Sequence, residues 1–537
     1  MIARRALAVP AGLAGAALRI AGVTALSRVL GFGRWLVFSE TVTDSCLGTA
    51  YSTANLLPNI VFEVVAGGAL ASAVVPLLGA QLGRGEAESV RRTASALLTW
   101  SVLVLTPLAV IGMLVAGPLM DALVGSPSGC DGSTAGAVAA RMFVFFAPQI
   151  PLYGIAVVCG GILNAHRRFL AAAAAPLVST AVVISAYVAL GVGYDGSRND
   201  LTALPRRWEV VLAAGTTAGV VALALTTVIP VARLGLRLRP TLHFPPGVAR
   251  RAGALALAGI AGLVAQQISV LVVIVLANRE GGALNVYQYA WAVYLLPYAV
   301  LAVPIATSAF TALSEQSGRD DQVAFTRTTA ATTRAVVLVS LVGAALLAGT
   351  AEPVSRTFLA GADGTAAPWQ LGWALAAFAP GLVGYGLVAH LGRVLYAQHA
   401  GRAAAMATVA GWAVVAVASV VVVAVVPVRW TVPAIGAANS IGMRVAGALL
   451  LGALARRTGR GSLAGVPRAG GAGLVGAVLG AGAAAGVAAG LAPEGKLANG
   501  LLACGLAVLA GAVCAGAVLV LDGRDLRALI RRRYADG

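Results

Sequence analysis

Charged residues are scarce in this sequence. They make up 11% of its 537 residues, and the mean hydropathy is +0.89. Soluble globular domains carry about 25% charged residues, so most of this chain cannot be arranged around a water-facing surface. A length that would otherwise suggest several soluble domains instead allows many membrane helices of about 20 apolar residues each.

Lysine is nearly absent. Lys496 is the sole lysine among 38 basic residues, so arginine carries the net charge of +18. Proteins with such a charge often bind nucleic acid through a contiguous basic surface. Here most arginines stand in short gaps between apolar runs, which argues against a nucleic-acid partner.

Cysteine and histidine are also few, with five and four residues. No CxxC pair and no Cys/His spacing typical of a metal site occurs among them. The cysteines are therefore predicted to be small apolar residues, with no disulfide framework, metal site or cofactor. They are Cys46, Cys130, Cys159, Cys504 and Cys514.

Long apolar runs dominate what is present. Backbone in lipid must satisfy its own hydrogen bonds, so these runs are predicted to be helices of an all-α integral membrane protein. Fourteen are found: 17–39, 54–83, 95–120, 138–163, 169–193, 209–232, 253–277, 284–312, 334–350, 369–396, 403–427, 432–454, 471–491 and 498–521.

Arginine alternates between the gaps that separate these spans. The gaps after spans two, four, six, ten, twelve and fourteen are arginine-rich, whereas those after odd-numbered spans are poorer in arginine or mixed. The positive-inside rule then places both termini in the cytoplasm of a multi-pass plasma-membrane protein.

The extramembrane segments are too short for a soluble catalytic domain. The longest lie near 194–208, 233–252 and 455–470. They contain no paired carboxylates, His/Asp cluster or phosphate-binding glycine loop. An enzyme is therefore not predicted.

The first predicted span carries Arg28 and Arg34. An arginine near the centre of a membrane helix costs about 2.5–3.5 kcal/mol on insertion scales. Two of them require a polar cavity, an acidic partner or a bound anion, unless each reaches toward an interface. We interpret both as candidate substrate-binding residues.

The second span adds Asn59 and Glu63, which are four residues apart and so share one face of a helix. Pro58 interrupts helical hydrogen bonding just before them. Glu63 can pair with Arg28 or Arg34 structurally or can take part in transport, and the sequence leaves both alternatives open.

Spans seven and eight contain further polar and aromatic candidates. Gln267 stands in span seven, and Trp291 belongs to a stripe in span eight that also includes Tyr287, Tyr294 and Tyr298. Such a stripe is more often packing than a ligand surface. The functional alternative is a stacking surface for sugars, and on that basis Gln267 and Trp291 are predicted to contact substrate.

Several short motifs resemble the MurJ/MviN family of lipid II flippases, within the multidrug/oligosaccharidyl-lipid/polysaccharide (MOP) exporter superfamily. The similarity extends over about residues 17–450 and is strongest before residue 180. It rests on SRVLGFGR at 27–34, LPNI at 57–60, GGAL at 67–70, VVPLL at 74–78, GILNAHRRF at 161–169 and QIS at 267–269.

The resemblance implies two pseudo-symmetric six-helix lobes and two further helices that form a groove for the lipid tail. The lobes would be residues 1–235 and 236–460, followed by spans 13 and 14 at 461–521 and a basic tail at 522–537. It also implies alternating access that carries a polyprenyl-pyrophosphate-linked saccharide to the outer leaflet. Membrane lipids and cell-wall synthases would be its partners, and Arg28 and Arg34 match the cavity arginines of the family.

Some family positions differ here. Phe62 and Glu63 replace a basic pair, and no arginine occurs between Tyr289 and Ala292 in span eight. Two alternatives therefore stay open at this point. One is a MOP-type exporter of another lipid-linked glycan or of an amphipathic drug, and the other is a non-transporting membrane scaffold derived from a flippase.

Overall fold

The computed structural model describes residues 11–65, 71–245, 248–359, 364, 366–491 and 493–535. Within these ranges the named elements are all helices, which confirms the predicted all-α class. The α-helices are α1 Ala11–Thr41, α2 Cys46–Phe62, α3 Ala71–Gly83, α4 Ala87–Leu114, α5 Ala116–Val124, α6 Gly132–Phe146, α7 Gln149–Ala165, α8 Phe169–Gly193, α9 Arg206–Ala232, α10 Val248–Ala277, α11 Ala283–Pro297, α12 Val303–Gly318, α13 Gln322–Gly349, α14 Ala351–Leu359, α15 Pro368–Phe378, α16 Gly381–Ala397, α17 Gly401–Val425, α18 Thr431–Thr458, α19 Val466–Leu491 and α20 Lys496–Ala535.

The long apolar helices follow the predicted spans. Among the described residues, 11 helices can cross a membrane by length and composition, or 12 if α15 and α16 form one bent span. These coincide with predicted spans three to fourteen. Predicted span one corresponds to α1, and span two to α2 and α3, with residues 66–70 outside the described ranges. The total of fourteen is compatible with this count and stays a prediction.

Helix starts and breaks have local causes. The side chains of Ser45, Asp131 and Asp321 accept hydrogen bonds from backbone N–H groups in the first turns of α2, α6 and α13. These caps satisfy donors that a helix start otherwise leaves unpaired. Between α15 and α16, Pro380 lacks an N–H donor, and the two helices meet at a bend of 46°.

The chain divides into two compact units. Unit 1 comprises Met1–Gly125 and Asp131–Leu263, and unit 2 comprises Ser126–Cys130 and Val264–Gly537. In unit 1, α8 packs against α1 and α9, and α7 packs against α4 and α9. In unit 2, α18 contacts α16 and α17, while α13 contacts α19 and α20. Predicted spans 13 and 14 therefore pack on predicted span nine. The lobe boundaries at 235 and 460 stay predictions.

Glycines bring three helices of unit 2 into backbone contact. A Cβ atom on Gly384 of α16 would overlap the carbonyl group of Met443 in α18. On α18, a Cβ on Gly442 would lie 2.6 Å from the Gly411 carbonyl oxygen of α17. Small residues at helix crossings in membranes permit this close approach.

One carboxylate near the end of the last span is fully buried. Asp522 on α20 has an exposed side-chain fraction of 0% and forms salt bridges with Arg334 of α13 at 2.9 Å and Arg468 of α19 at 3.2 Å. The Arg334 side chain is 13% exposed. This triad joins three helices of unit 2. Its residues lie at or next to the boundaries of predicted spans nine, thirteen and fourteen.

Two cysteines differ from the prediction. Cys46 and Cys130 are disulfide-bonded, whereas Cys159, Cys504 and Cys514 are free. The expectation of no disulfide is therefore wrong. Neither cysteine stands in a recognisable spacing motif, because the fold rather than local spacing decides which cysteines approach each other.

Candidate functional site

Arg28 and Arg34 lie on α1 in unit 1. Arg28 is exposed and Arg34 is half-buried. In the part of the chain that the structure describes, neither guanidinium forms a salt bridge. The Arg34 guanidinium lies 5.1 Å from the ring centre of Trp35, a cation–π contact that leaves its hydrogen-bond donors available.

Aromatic packing one turn further along fixes the position of Arg34. Phe38 shares a helix face with Arg34 and is 1% exposed. Its ring lies 5.5 Å from that of Tyr51 and 5.2 Å from that of Tyr187. The Tyr51 hydroxyl is 2.8 Å from both the Tyr187 hydroxyl and the Thr216 hydroxyl. Side chains of α2, α8 and α9 thus anchor this part of α1.

The polar residues of α2 face Tyr153 on α7. The Tyr153 hydroxyl donates a hydrogen bond of 3.3 Å to Asn59 Oδ1, and the Asn59 amide donates to the Asn55 carbonyl oxygen at 2.6 Å. The ring of Phe62 packs 4.5 Å from the Tyr153 ring. Asn59 is therefore oriented by contacts on both sides of its amide group.

Tyr153 is close enough to both Arg34 and Glu63 to interact with their charges. Both Arg34 and Glu63 interact electrostatically with the Tyr153 side chain. Glu63 itself is exposed and, among the described residues, has no ion pair with Arg28 or Arg34. The predicted pairing is thus not formed in this state, and pairing in another state stays a prediction. The sequence interpretation missed Tyr153, whose only signal is a phenol within an otherwise apolar run.

Gln267 and Trp291 belong to unit 2. Gln267 on α10 is 6% exposed. Trp291 on α11 is half-buried in an aromatic cluster, with ring centres of five neighbours at 5.4 to 6.4 Å. These neighbours are Tyr287, Tyr294, Phe378, Tyr385 and Trp412. The stripe on α11 therefore packs within unit 2, and contact of Trp291 or Gln267 with substrate stays a prediction.

Ionisable groups within membrane helices are rare. Such groups are costly in lipid and mark substrate or ion pathways. The fold thus defines a multi-pass α-helical membrane protein with ionisable groups on α1. The model of the family described as "Lipid II flippase MurJ" matches residues 38–495, and the chain belongs to this family.

Curated relatives match parts of the chain. A probable lipid II flippase MurJ of Rhizobium tropici is 28% identical over 294 residues, which are 54% of this chain and 52% of the relative. The lipid II flippase MurJ of Burkholderia cenocepacia is 28% identical over 389 residues, 71% of this chain and 73% of that protein. The chain thus spans about half the length of the Rhizobium relative that it matches.

Solved structures share the fold. A lipid II flippase MurJ in an inward closed conformation superposes with a TM-score of 0.71 at 18% identity, covering 94% of this chain and 99% of that one. An inward-facing multidrug resistance transporter of the MATE family, within the MOP superfamily, gives a TM-score of 0.64 at 14% identity, covering 82% and 98%. These likenesses show that the chain shares the fold of these two structures.

Proposed function

We propose that this protein moves a polyprenyl-pyrophosphate-linked saccharide, lipid II or a close relative, from the cytoplasmic to the outer leaflet by alternating access. Cell-wall synthases would consume the product there. The observation that carries the proposal is the pair of arginines on α1, which form no salt bridge among the described residues, in a chain that belongs to the lipid II flippase family.

The α1 arginines suit a pyrophosphate headgroup. Arginine presents a planar fork of donors that matches phosphate oxygens, and its charge persists in a poorly solvated environment. A scaffold that no longer transports would be expected to neutralise these groups in permanent ion pairs. In the described residues Arg28 and Arg34 have none, which favours transport.

The remaining candidate residues would adjust how strongly the headgroup is bound. Tyr153, which Arg34 influences electrostatically, and its hydrogen-bond partner Asn59 would supply polar groups for phosphate or sugar oxygens. Glu63 carries the opposite charge and would weaken anion binding enough to permit release. On unit 2, Gln267 and the half-buried ring of Trp291 would contact the saccharide.

We also propose that both termini face the cytoplasm of a bacterial cell. The arginine distribution supports this orientation. The disulfide-bonded state of Cys46 and Cys130 supports it independently, because these residues follow predicted spans one and three, and disulfides persist on the oxidising side of a plasma membrane. The triad of Arg334, Arg468 and Asp522 joins the start of predicted span nine, the gap after span twelve and the residue after span fourteen, which the alternation places on the same, cytoplasmic side.

Thiol labelling of intact cells tests the orientation. A membrane-impermeant maleimide is expected to modify Cys46 and Cys130 only after treatment with an impermeant reductant. A variant with Ser at both positions is the control for background labelling. Modification that requires prior permeabilisation of the membrane would place these residues in the cytoplasm and contradict the orientation.

Reconstitution tests the transport itself. In vesicles that contain fluorescent lipid II, the protein is expected to expose inner-leaflet headgroups to an impermeant reagent. The rate of exposure should be well above that in protein-free vesicles. Phosphatidylcholine with a labelled headgroup is the control for a general scramblase. Equal exposure of both lipids, or export of an amphipathic drug without exposure of lipid II, would refute the proposal.

A further inference from the structure

A cavity lies in unit 2, beside the N-terminal half of α13. It has a volume of about 640 Å³ and is bounded by the first turns of α13 and by the turn between α18 and α19. The lining residues on α13 include Arg327 and Arg334, and Gly461 and Ala464 contribute from the turn.

The two cavity arginines face the same way along α13. Seven residues separate them, which is close to two helical turns and an axial distance of about 10.5 Å. Ala330 and Ala331 stand between them and also line the cavity, so no bulky side chain fills the space. Arg327 is exposed and, within the described ranges, has no ion pair.

Arg334 is held in place from two sides. Its Nη2 donates to Asp522 at 2.9 Å, and its guanidinium packs so closely on Gly465 that a Cβ atom there would lie 2.9 Å from Nη1. Asp522 is shared with Arg468. In the described lining of the cavity, both ionisable side chains, Arg327 and Arg334, carry a positive charge.

The sequence beyond Asp522 is also rich in arginine. Five arginines follow within twelve residues at positions 524, 527, 531, 532 and 533. Basic clusters directly after a membrane span are attracted to anionic lipid surfaces, and basic pockets between membrane helices bind lipid phosphates. Because Asp522 contacts Arg334, the basic segment begins next to the cavity.

The cavity lining also includes apolar residues. Val323 is 80% exposed, and Ala331 and Ala464 are exposed beside it. A soluble anion would gain nothing from these groups, whereas a lipid presents acyl chains next to its phosphate. We infer that this cavity binds the phosphate headgroup of an anionic glycerophospholipid of the cytoplasmic leaflet. The inference does not depend on the identity of the transported cargo.

Lipid retention by the purified full-length protein tests the inference. In titrations followed by native mass spectrometry, dioleoylphosphatidylglycerol is expected to bind more tightly than dioleoylphosphatidylcholine. Arg327→Gln should weaken its binding about fivefold, as expected for loss of one arginine near a membrane phosphate. Ala331→Trp, which fills the cavity without a change in charge, should weaken it at least as much.

Arg319→Gln is the matched control. Arg319 is exposed at the same end of unit 2, pairs with Glu315 at 2.6 Å and does not line the cavity. If this variant loses as much affinity as Arg327→Gln, diffuse charge rather than the cavity binds the lipid, and the inference is wrong.

Competition experiments distinguish the lipid from other phosphate compounds. If glycerophosphoglycerol competes as well as the intact lipid does, the site binds free phosphate esters. Displacement by equimolar undecaprenyl pyrophosphate would make it a cargo site. Either result overturns the assignment.

Discussion

Replacement of Arg28 or Arg34 by alanine is expected to reduce headgroup transport to near background while the protein remains folded and inserted. Hydrogen bonds to a charged group contribute about 1.5–3 kcal/mol each, so loss of one arginine should slow transport roughly 10- to 100-fold. Lysine at either position should restore only part of the rate, because it retains the charge but not the bidentate geometry.

The structure explains why folding should survive these substitutions. Neither guanidinium forms a salt bridge within the described residues, so no buried partner loses its counter-ion. Packing of this part of α1 depends instead on Phe38 against Tyr51 and Tyr187. A Phe38→Ala variant should therefore lower thermal stability, whereas Arg34→Ala should not.

The measurement is the rate of lipid II exposure in reconstituted vesicles, normalised to the amount of inserted protein. Arg356→Ala is a suitable control, because this arginine is partly exposed on α14 and, among the described residues, its ion pair is with Glu352 one turn away. If the double variant with alanine at positions 28 and 34 transports at the wild-type rate, these arginines have only a structural role. The main support for phosphate binding would then be lost.

Asp522→Ala is expected to have the largest effect on stability. Removal of one partner from a buried ion pair costs about 3–5 kcal/mol, because the remaining charge stays buried without compensation. Here Arg334 is the residue left behind, at 13% exposure. We expect a pronounced loss of folded protein on size-exclusion chromatography and a large decrease in the midpoint of thermal unfolding in detergent.

A double variant separates charge from packing. With Arg334→Met added to Asp522→Leu, the buried charge is gone on both sides, and much of the lost stability should return. Asp200→Ala is the exposed control, since the hydrogen bonds of Asp200 among the described residues come from Thr202 and Ala203 in its own turn. If Asp522→Ala unfolds at the wild-type temperature, the triad contributes little, and α20 is held by its apolar contacts alone.

The spans were predictable because membrane insertion depends on local hydropathy. Each of the long apolar helices from α4 to α20 lies within or around a predicted run, and the charges on α1 are visible directly in the sequence. Tyr153 was not predictable as a neighbour of Asn59, because their contact depends on how α2 and α7 pack. Likewise, the sequence does not indicate that Asp522 pairs with Arg334, which is 188 positions away.

The aromatic stripe on α11 illustrates the same limit. Its spacing correctly indicates one helix face, but spacing alone cannot distinguish a ligand surface from a packing surface. In the structure Tyr294 is fully buried and the Trp291 ring meets side chains from α15, α16 and α17. Which part of Trp291 remains available to a saccharide depends on these partners, and they lie at least 87 positions further along the chain.

The glycine contacts of α18 restrict how unit 2 can deform. Helices that touch backbone to backbone on both sides cannot slide past one another by exchanging side-chain rotamers, which is how shear motions proceed. The helices α16, α17 and α18 should therefore move as one rigid body. Conformational freedom in this unit is then concentrated at the 46° bend beside Pro380 and at the π-helical turn Tyr298–Ala302, where wider backbone geometry interrupts the regular hydrogen-bond pattern.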